Sequence, residues 1–203
     1  MHVVRKQKKQ PILEQVLVEN YAAEGKALAR VDGKVVFIEG AVPGDVVDVQ
    51  LKKNKADWAE GFVVAYRSYS EDRVQPFCSH FGICGGCTMQ HLDIRAQVAM
   101  KQRVLEDDLH HIAKVKPEEI LRPMGGPTWE YRHRARLSAV NRSIKKGTVL
   151  VGFHEGKSGY VADMLACEIL PKHVSDLLPE MRKLVMGLSI VDRMPQIEIA
   201  VGE

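Results

Sequence analysis

Three of the four cysteines fall in one ten-residue stretch, Cys78-Ser-His-Phe-Gly-Ile-Cys84-Gly-Gly-Cys87, and the fourth, Cys167, lies far downstream. Three thiols spaced C-x5-C-x2-C plus one remote thiol form an all-cysteine, four-ligand set, suited to an iron–sulfur cluster or a structural zinc. Gly85 and Gly86 free the backbone to wrap a bound group and to aim N–H groups at sulfur. Spacing alone leaves the two metals level, because four-cysteine zinc sites usually use paired C-x2-C knuckles and only one such pair occurs here. In a lesser alternative Cys167 is a free nucleophile, and the other three thiols bind metal with a histidine. His80 and His91, near the motif, read as groups behind the ligands or on the surface. His110 and His111 are adjacent on an expected helix. Their side chains diverge by about 100°, which suits a helix C-terminus better than a shared ion.

A second kind of chemistry is carried by basic residues. In a strand over Tyr131–Val140, Arg132, Arg134 and Arg136 share one face. Three like charges there call for a polyanion, and an RNA backbone fits. The plainer reading is a solvated sheet edge. Lys52, Lys53 and Lys55 in a basic loop, with Trp58 close by, offer charge and a stacking platform. The plainer reading there is a solvated loop and a core tryptophan.

The elements that must carry these groups follow from periodicity. From Ile12 to about Tyr69 the chain reads as five short strands. Asp32-Gly33 is a hairpin signal, and Pro43-Gly44-Asp45 marks a further turn. Val47, Val49 and Leu51 alternate with polar residues, and on the last strand Phe62, Val64 and Tyr66 share one face with Val63 and Ala65 on the other. Five strands in so short a stretch predict a small, closed, OB-like barrel. A polar linker, Ser70–Pro76, sets the boundary. Asp93 caps a predicted helix to about Ile112, with Ile94, Val98, Leu105, Leu109 and Ile112 on one face as a packing surface. Strands are expected over Val149–Phe153 and Gly159–Met164, with a basic turn at Lys145-Lys146-Gly147. A helix from Lys172 to Gly187 should kink or restart at Pro179. The fold class is therefore mainly β with helices: a small barrel, a cysteine loop, a helix, and part of an α+β central domain. The segments are a basic arm at 1–11, the barrel at 12–70, linker and cysteine loop at 71–92, the helix at 93–116, and the central region at 117–203.

Composition bounds the function. The chain has 203 residues, 29 basic and 26 acidic, for a net charge of +3. That balance is too even to prove nucleic-acid binding, so the distribution of charge must do so. The N-terminus has no apolar run of the kind a signal peptide needs, and no segment approaches membrane-spanning length. Clustered cysteines without a secretion signal favour metal over disulfides and a cytoplasmic setting.

The cysteine loop resembles the iron–sulfur motif of bacterial 23S ribosomal RNA (uracil-5-)-methyltransferases. Glu24-Gly25 and the run Arg30–Asp45, with Asp-Gly-Lys-Val-Val-Phe and Pro-Gly-Asp, resemble a TRAM domain, an RNA-binding β-barrel of RNA-modifying enzymes. One departure is at Glu24-Gly-Lys26, where a second glycine is expected. Tyr131–Arg136, Val151-Gly-Phe153 and Cys167-Glu-Ile-Leu-Pro171 are similar to the same methyltransferases. The resemblance implies a [4Fe–4S] cluster on Cys78, Cys84, Cys87 and Cys167. It also implies 23S ribosomal RNA as partner, with no membrane and no DNA, and S-adenosylmethionine as methyl donor in the full-length enzyme. Methylation at uracil C5 needs a thiolate, a base and a donor site. No G-x-G-x-x-G follows a strand here, and every cysteine is taken by the metal set. The expectation is an N-terminal portion of a longer methyltransferase, inactive alone because the catalytic domain is absent from this chain. The alternative is a stand-alone metal- or iron–sulfur-stapled RNA-binding module without activity.

Overall fold

The computed structural model describes residues 10–22 and 25–202; all but the end of the expected basic arm, and Glu24 of the Glu24-Gly25 piece, lie outside them. The chain forms two compact units. One takes the described residues up to Val74 together with His91–Leu121, and the other takes Gln75–Gln90 and the residues from Arg122 onward.

The first unit is built on β1 (Ile12–Leu17), β2 (Asn20–Tyr21), β3 (Ala27–Val31), β4 (Lys34–Glu39), β5 (Val46–Asn54) and β6 (Trp58–Ser68). Their order is β1-β5-β6-β4-β3-β2, antiparallel except for β4 beside β6. Six strands replace the five expected because the first bends and changes partner. After β1 leaves β5, the Val18 N–H donates to Asp45 O and the Glu19 N–H to Leu28 O, both at 2.9 Å. β2 then pairs with β3, so one bent segment closes the barrel. Val18, Val36, Ile38, Val47 and Val49 fill its core. The β3–β4 turn has Asp32 at φ 51° and Gly33 at φ 79°, the paired positive values of a tight hairpin that matches strand twist. β5 runs on to Asn54 because Lys53 pairs with Glu60 and Asn54 with Ala59. Lys52 and Lys53 are therefore strand residues rather than loop residues, and only Lys55 lies in the turn.

Helix α1 spans Ile94–His111. The Asp93 carboxylate accepts the Arg95 N–H at 2.9 Å as its N-cap. Its limits match the expectation, but its packing does not: none of its residues is buried. Leu105 is 53% exposed, and Ile112, just beyond it, 76%. Apolar spacing defines a face and says nothing of what covers it.

The second unit holds β7 (Arg134–Asn141), α2 (Ser143–Lys146), β8 (Val149–Gly152), α3 (Lys172–Ser175), α4 (Leu178–Met186) and β9 (Gln196–Ala200). The antiparallel order is β8-β7-β9. Leu137, Val149, Val151, Met164, Leu170 and Leu178 form its core. The helical region breaks into α3 and α4 with Pro179 in the first turn of the second, where its missing N–H costs nothing. The basic turn at 145–147 is a helical turn ended by Gly147 at φ 69°. Gly159–Met164 does not form a strand and makes only a bridge, His154 to Val161. β7 begins at Arg134, not Tyr131. The Glu130 N–H donates to Glu168 O at 3.0 Å and the Arg132 N–H to Ile169 O at 2.8 Å, so residues 130–132 run beside the Cys167 segment instead of β9. Among the described residues no helix is long and apolar enough to cross a membrane.

Candidate metal centre and basic surfaces

Tight turns fold the cysteine loop on itself. The Phe81 N–H donates to Cys78 O at 3.1 Å, and the Cys84 N–H to His80 O at 2.9 Å. The loop then hooks onto the chain beyond β8. The Gly85 N–H donates to His154 O at 2.8 Å, and the Gly156 N–H to Ile83 O at 2.9 Å. A Cβ at Gly85 would lie 3.0 Å from His154 O and 3.1 Å from Gly156 Cα, a tighter approach to backbone than side chains usually make. The Gly86 N–H points at Cys84 Sγ, 3.4 Å away, the N–H-to-sulfur contact the two glycines permit.

Cys167 arrives from the other side, buried in the core of the second unit. Its N–H donates to Ser175 Oγ at 2.8 Å, which ties it to α3. Cys78, Cys84, Cys87 and Cys167 all line one cavity of about 20 Å³, and all four thiols are free. Burial pushes the thiols of Cys84 and Cys167 above their usual range. Thiolate is the ligand form, so metal uptake here must expel protons.

The donor chemistry, four cysteine thiols on one cavity, fits an all-thiolate group. Among the described residues no three His, Cys, Asp or Glu side chains stand close enough to hold an ion. His80 lines the same cavity. His91 does not: it is buried in the first unit with Nε2 3.3 Å from Ala41 O. His110 and His111 meet edge to face, with ring centroids 4.5 Å apart, on an exposed helix end.

The candidate RNA-contact residues divide by partner. Lys52 Nζ lies 2.9 Å from Glu39, and Lys53 Nζ lies 2.9 Å from Glu60, which also takes Lys26 at 3.0 Å. Arg136 is 2.9 Å from Glu198 on β9. Such exposed pairs hold by about 1 kcal/mol or less, which a phosphate can outcompete. Lys55 and Arg134 are exposed. Trp58 is half-buried, edge-on to Phe37 at 6.3 Å. It borders an open cleft of about 600 Å³ with Lys26, Asp57 and Glu60, so part of the indole faces space rather than core.

Arg132 stands apart from its neighbours. It is half-buried, and its guanidinium lies over the Phe153 ring, 5.4 Å from the centroid. Phe153 lines the cysteine cavity. Strand periodicity concealed this arrangement by grouping Arg132 with Arg134 and Arg136.

The family model described as TRAM domain matches residues 14–64. The chain is 74% identical over 181 residues to 23S rRNA (uracil(1939)-C(5))-methyltransferase RlmD of Polynucleobacter necessarius, covering 89% of this chain and 38% of that protein. The protein of the same name from Cupriavidus necator is 60% identical over 171 residues, covering 84% of this chain and 38% of its own length. The chain thus spans about two-fifths of the length of these curated relatives. Among solved structures, it is similar to Pyrococcus abyssi tRNA (uracil-54, C5)-methyltransferase in complex with S-adenosyl-L-homocysteine. The TM-score is 0.54 at 19% identity, over 85% of this chain and 36% of that one. That likeness is one of fold.

Proposed function

Because this chain is a relative of the bacterial 23S rRNA (uracil-C5)-methyltransferases and carries a TRAM domain, we propose that it is the RNA-recognition and iron–sulfur portion of such an enzyme. The whole enzyme uses S-adenosylmethionine to methylate a uracil of 23S ribosomal RNA in the cytoplasm, with neither membrane nor DNA as partner. The barrel (12–70), the linker and cysteine loop (71–92), the helix (93–116) and the central region (117–203) are its working segments. The donor site, the nucleophile and the base belong to the length of the relatives that this chain does not match, so the chain alone is inactive.

The observation that carries the reading is the cavity lined by Cys78, Cys84, Cys87 and Cys167 from two distant segments. These four thiolates would hold a [4Fe–4S] cluster, which supplies a covalent tie between loop and core and a redox-capable centre when bound. The chain's own residues do the rest. Gly85 and Gly86 let the loop close, Ser175 fixes Cys167, and Phe153 and Met164 keep the cavity walls apolar. Lys55, Arg134 and Arg136, with Lys52 and Lys53 released from Glu39 and Glu60, meet the RNA backbone, and Trp58 stacks on an unpaired base.

Iron and acid-labile sulfide on anaerobically purified protein test this. About four of each per chain are expected for a [4Fe–4S] centre. Colourless protein with one zinc removes the cluster and leaves a zinc-stapled RNA-binding module. For the reaction, the full-length polypeptide should transfer labelled methyl to a 23S rRNA uracil while the 203-residue chain does not.

A further inference from the structure

We propose that Arg132 is the fixed countercharge of the cysteine centre: it positions and charge-balances a metal–thiolate group instead of gripping phosphate. This rests on the metal-centre reading above and deepens it.

The backbone separates Arg132 from the other two arginines. Arg134 and Arg136 lie on β7, paired with Ala200 and Glu198 of β9, and both are exposed. Arg132 precedes the strand, and its N–H is held by Ile169 O at 2.8 Å, two residues beyond Cys167. Its guanidinium sits over Phe153. The same ring presses on the cysteine loop: a Cβ built on Gly86 would lie 3.1 Å from Phe153 Cδ2 and 3.4 Å from Cys84 Sγ. Phe153 is thus shared by the arginine and the loop.

Charge supplies the reason for this packing. Four thiolates around an iron–sulfur core, or around one divalent ion, carry net negative charge. The cavity lining contains Glu168 but no lysine or arginine. A guanidinium stays protonated at any working pH, and its attraction is strengthened where water is kept away. Stacking on Phe153 orients it and shields that side of the site. A cation so placed should favour the negatively charged metal–thiolate group once bound and raise the centre's reduction potential.

The test compares Arg132→Gln, Arg132→Lys and Arg134→Gln in the whole chain. In the iron–sulfur form, Arg132→Gln should shift the midpoint potential to more negative values. Arg132→Lys should reverse most of that shift, and Arg134→Gln should leave the potential unmoved. In the reduced, metal-free form, Co²⁺ titrated against a competing chelator and read by thiolate-to-cobalt absorption should bind about tenfold more weakly to Arg132→Gln. Rescue by Arg132→Lys separates lost charge from lost fold. Equal potential and equal Co²⁺ affinity in Arg132→Gln and wild type would overturn the proposal. An equal effect from Arg134→Gln would overturn it too. Wild-type protein that takes up no iron or sulfide defeats the cluster reading instead, and the Co²⁺ comparison still decides the role of Arg132.

Discussion

Arg73 closes over Asp45 with Nη2 2.5 Å and Nε 3.2 Å from the two carboxylate oxygens, and the Asp45 side chain is fully buried. The same carboxylate accepts the Val42 N–H at 2.8 Å and the Ser70 N–H at 2.9 Å, tying the Pro43-Gly44 turn to the exit of the barrel. Arg73 also lies over Tyr66, 4.7 Å from the ring centroid, and donates to Gly40 O at 2.8 Å. The aspartate of the Pro-Gly-Asp motif is therefore the anchor of the barrel's end.

Removing one partner strands the other charge in the interior. Arg73→Ala should lower the stability of the barrel by about 3 kcal/mol or more, read by chemical denaturation. A loss below about 1 kcal/mol, the worth of an exposed pair, would show that water already reaches Asp45.

His91 gives the barrel a pH dependence. It is 6% exposed, and burial holds its pKa below the usual imidazole range. The unfolded chain takes up this proton near pH 6.5 while the folded chain resists, so stability falls as pH drops below about 6.5. His91→Gln should flatten the stability profile between roughly pH 7 and 5. Equal slopes for the two proteins would contradict this.

The close approach at Gly85 should be needed for metal retention. Gly85→Ala forces about 1–3 kcal/mol of overpacking against His154 O and Gly156. The variant should lose bound metal on dialysis while its barrel melts as in wild type. Full retention would mean that the loop can shift without opening the site.

Arg134→Ala combined with Arg136→Ala should weaken RNA binding and reduce the salt slope by about one unit per lost phosphate contact. Filter binding across a salt series measures both. An unchanged slope would remove this edge from the RNA surface.

Helix α1 offers a contrast with the barrel. Because Leu105 is 53% exposed, Leu105→Glu should change the stability of this chain by no more than about 0.5 kcal/mol. Its amides should exchange faster than those of β5, since an isolated helix of this length is marginal in water. A loss of 2 kcal/mol or more would place a packing partner on that face.

By itself the sequence determined the local geometry. Asp32-Gly33 and Pro43-Gly44 specify their turns because positive φ is cheap there, Asp93 starts α1 because its carboxylate takes a free N–H, and Pro179 restarts the last helix because it lacks one. Clustered thiols with one remote thiol marked the residues that line one cavity. Only the tertiary structure decided which partners those local pieces chose. A two-residue period assigns Arg132 to the face of Arg134 and Arg136, but the backbone there bonds to Ile169 before the strand begins, and the side chain turns to Phe153. The lysines of β5 look free in sequence, yet the β5–β6 register sets Glu60 beside Lys53, and Glu39 also reaches Lys52. Asp45 waits twenty-eight residues for Arg73. Periodicity and propensity act over one or two turns of chain, whereas these pairings depend on which distant backbone edge arrives alongside.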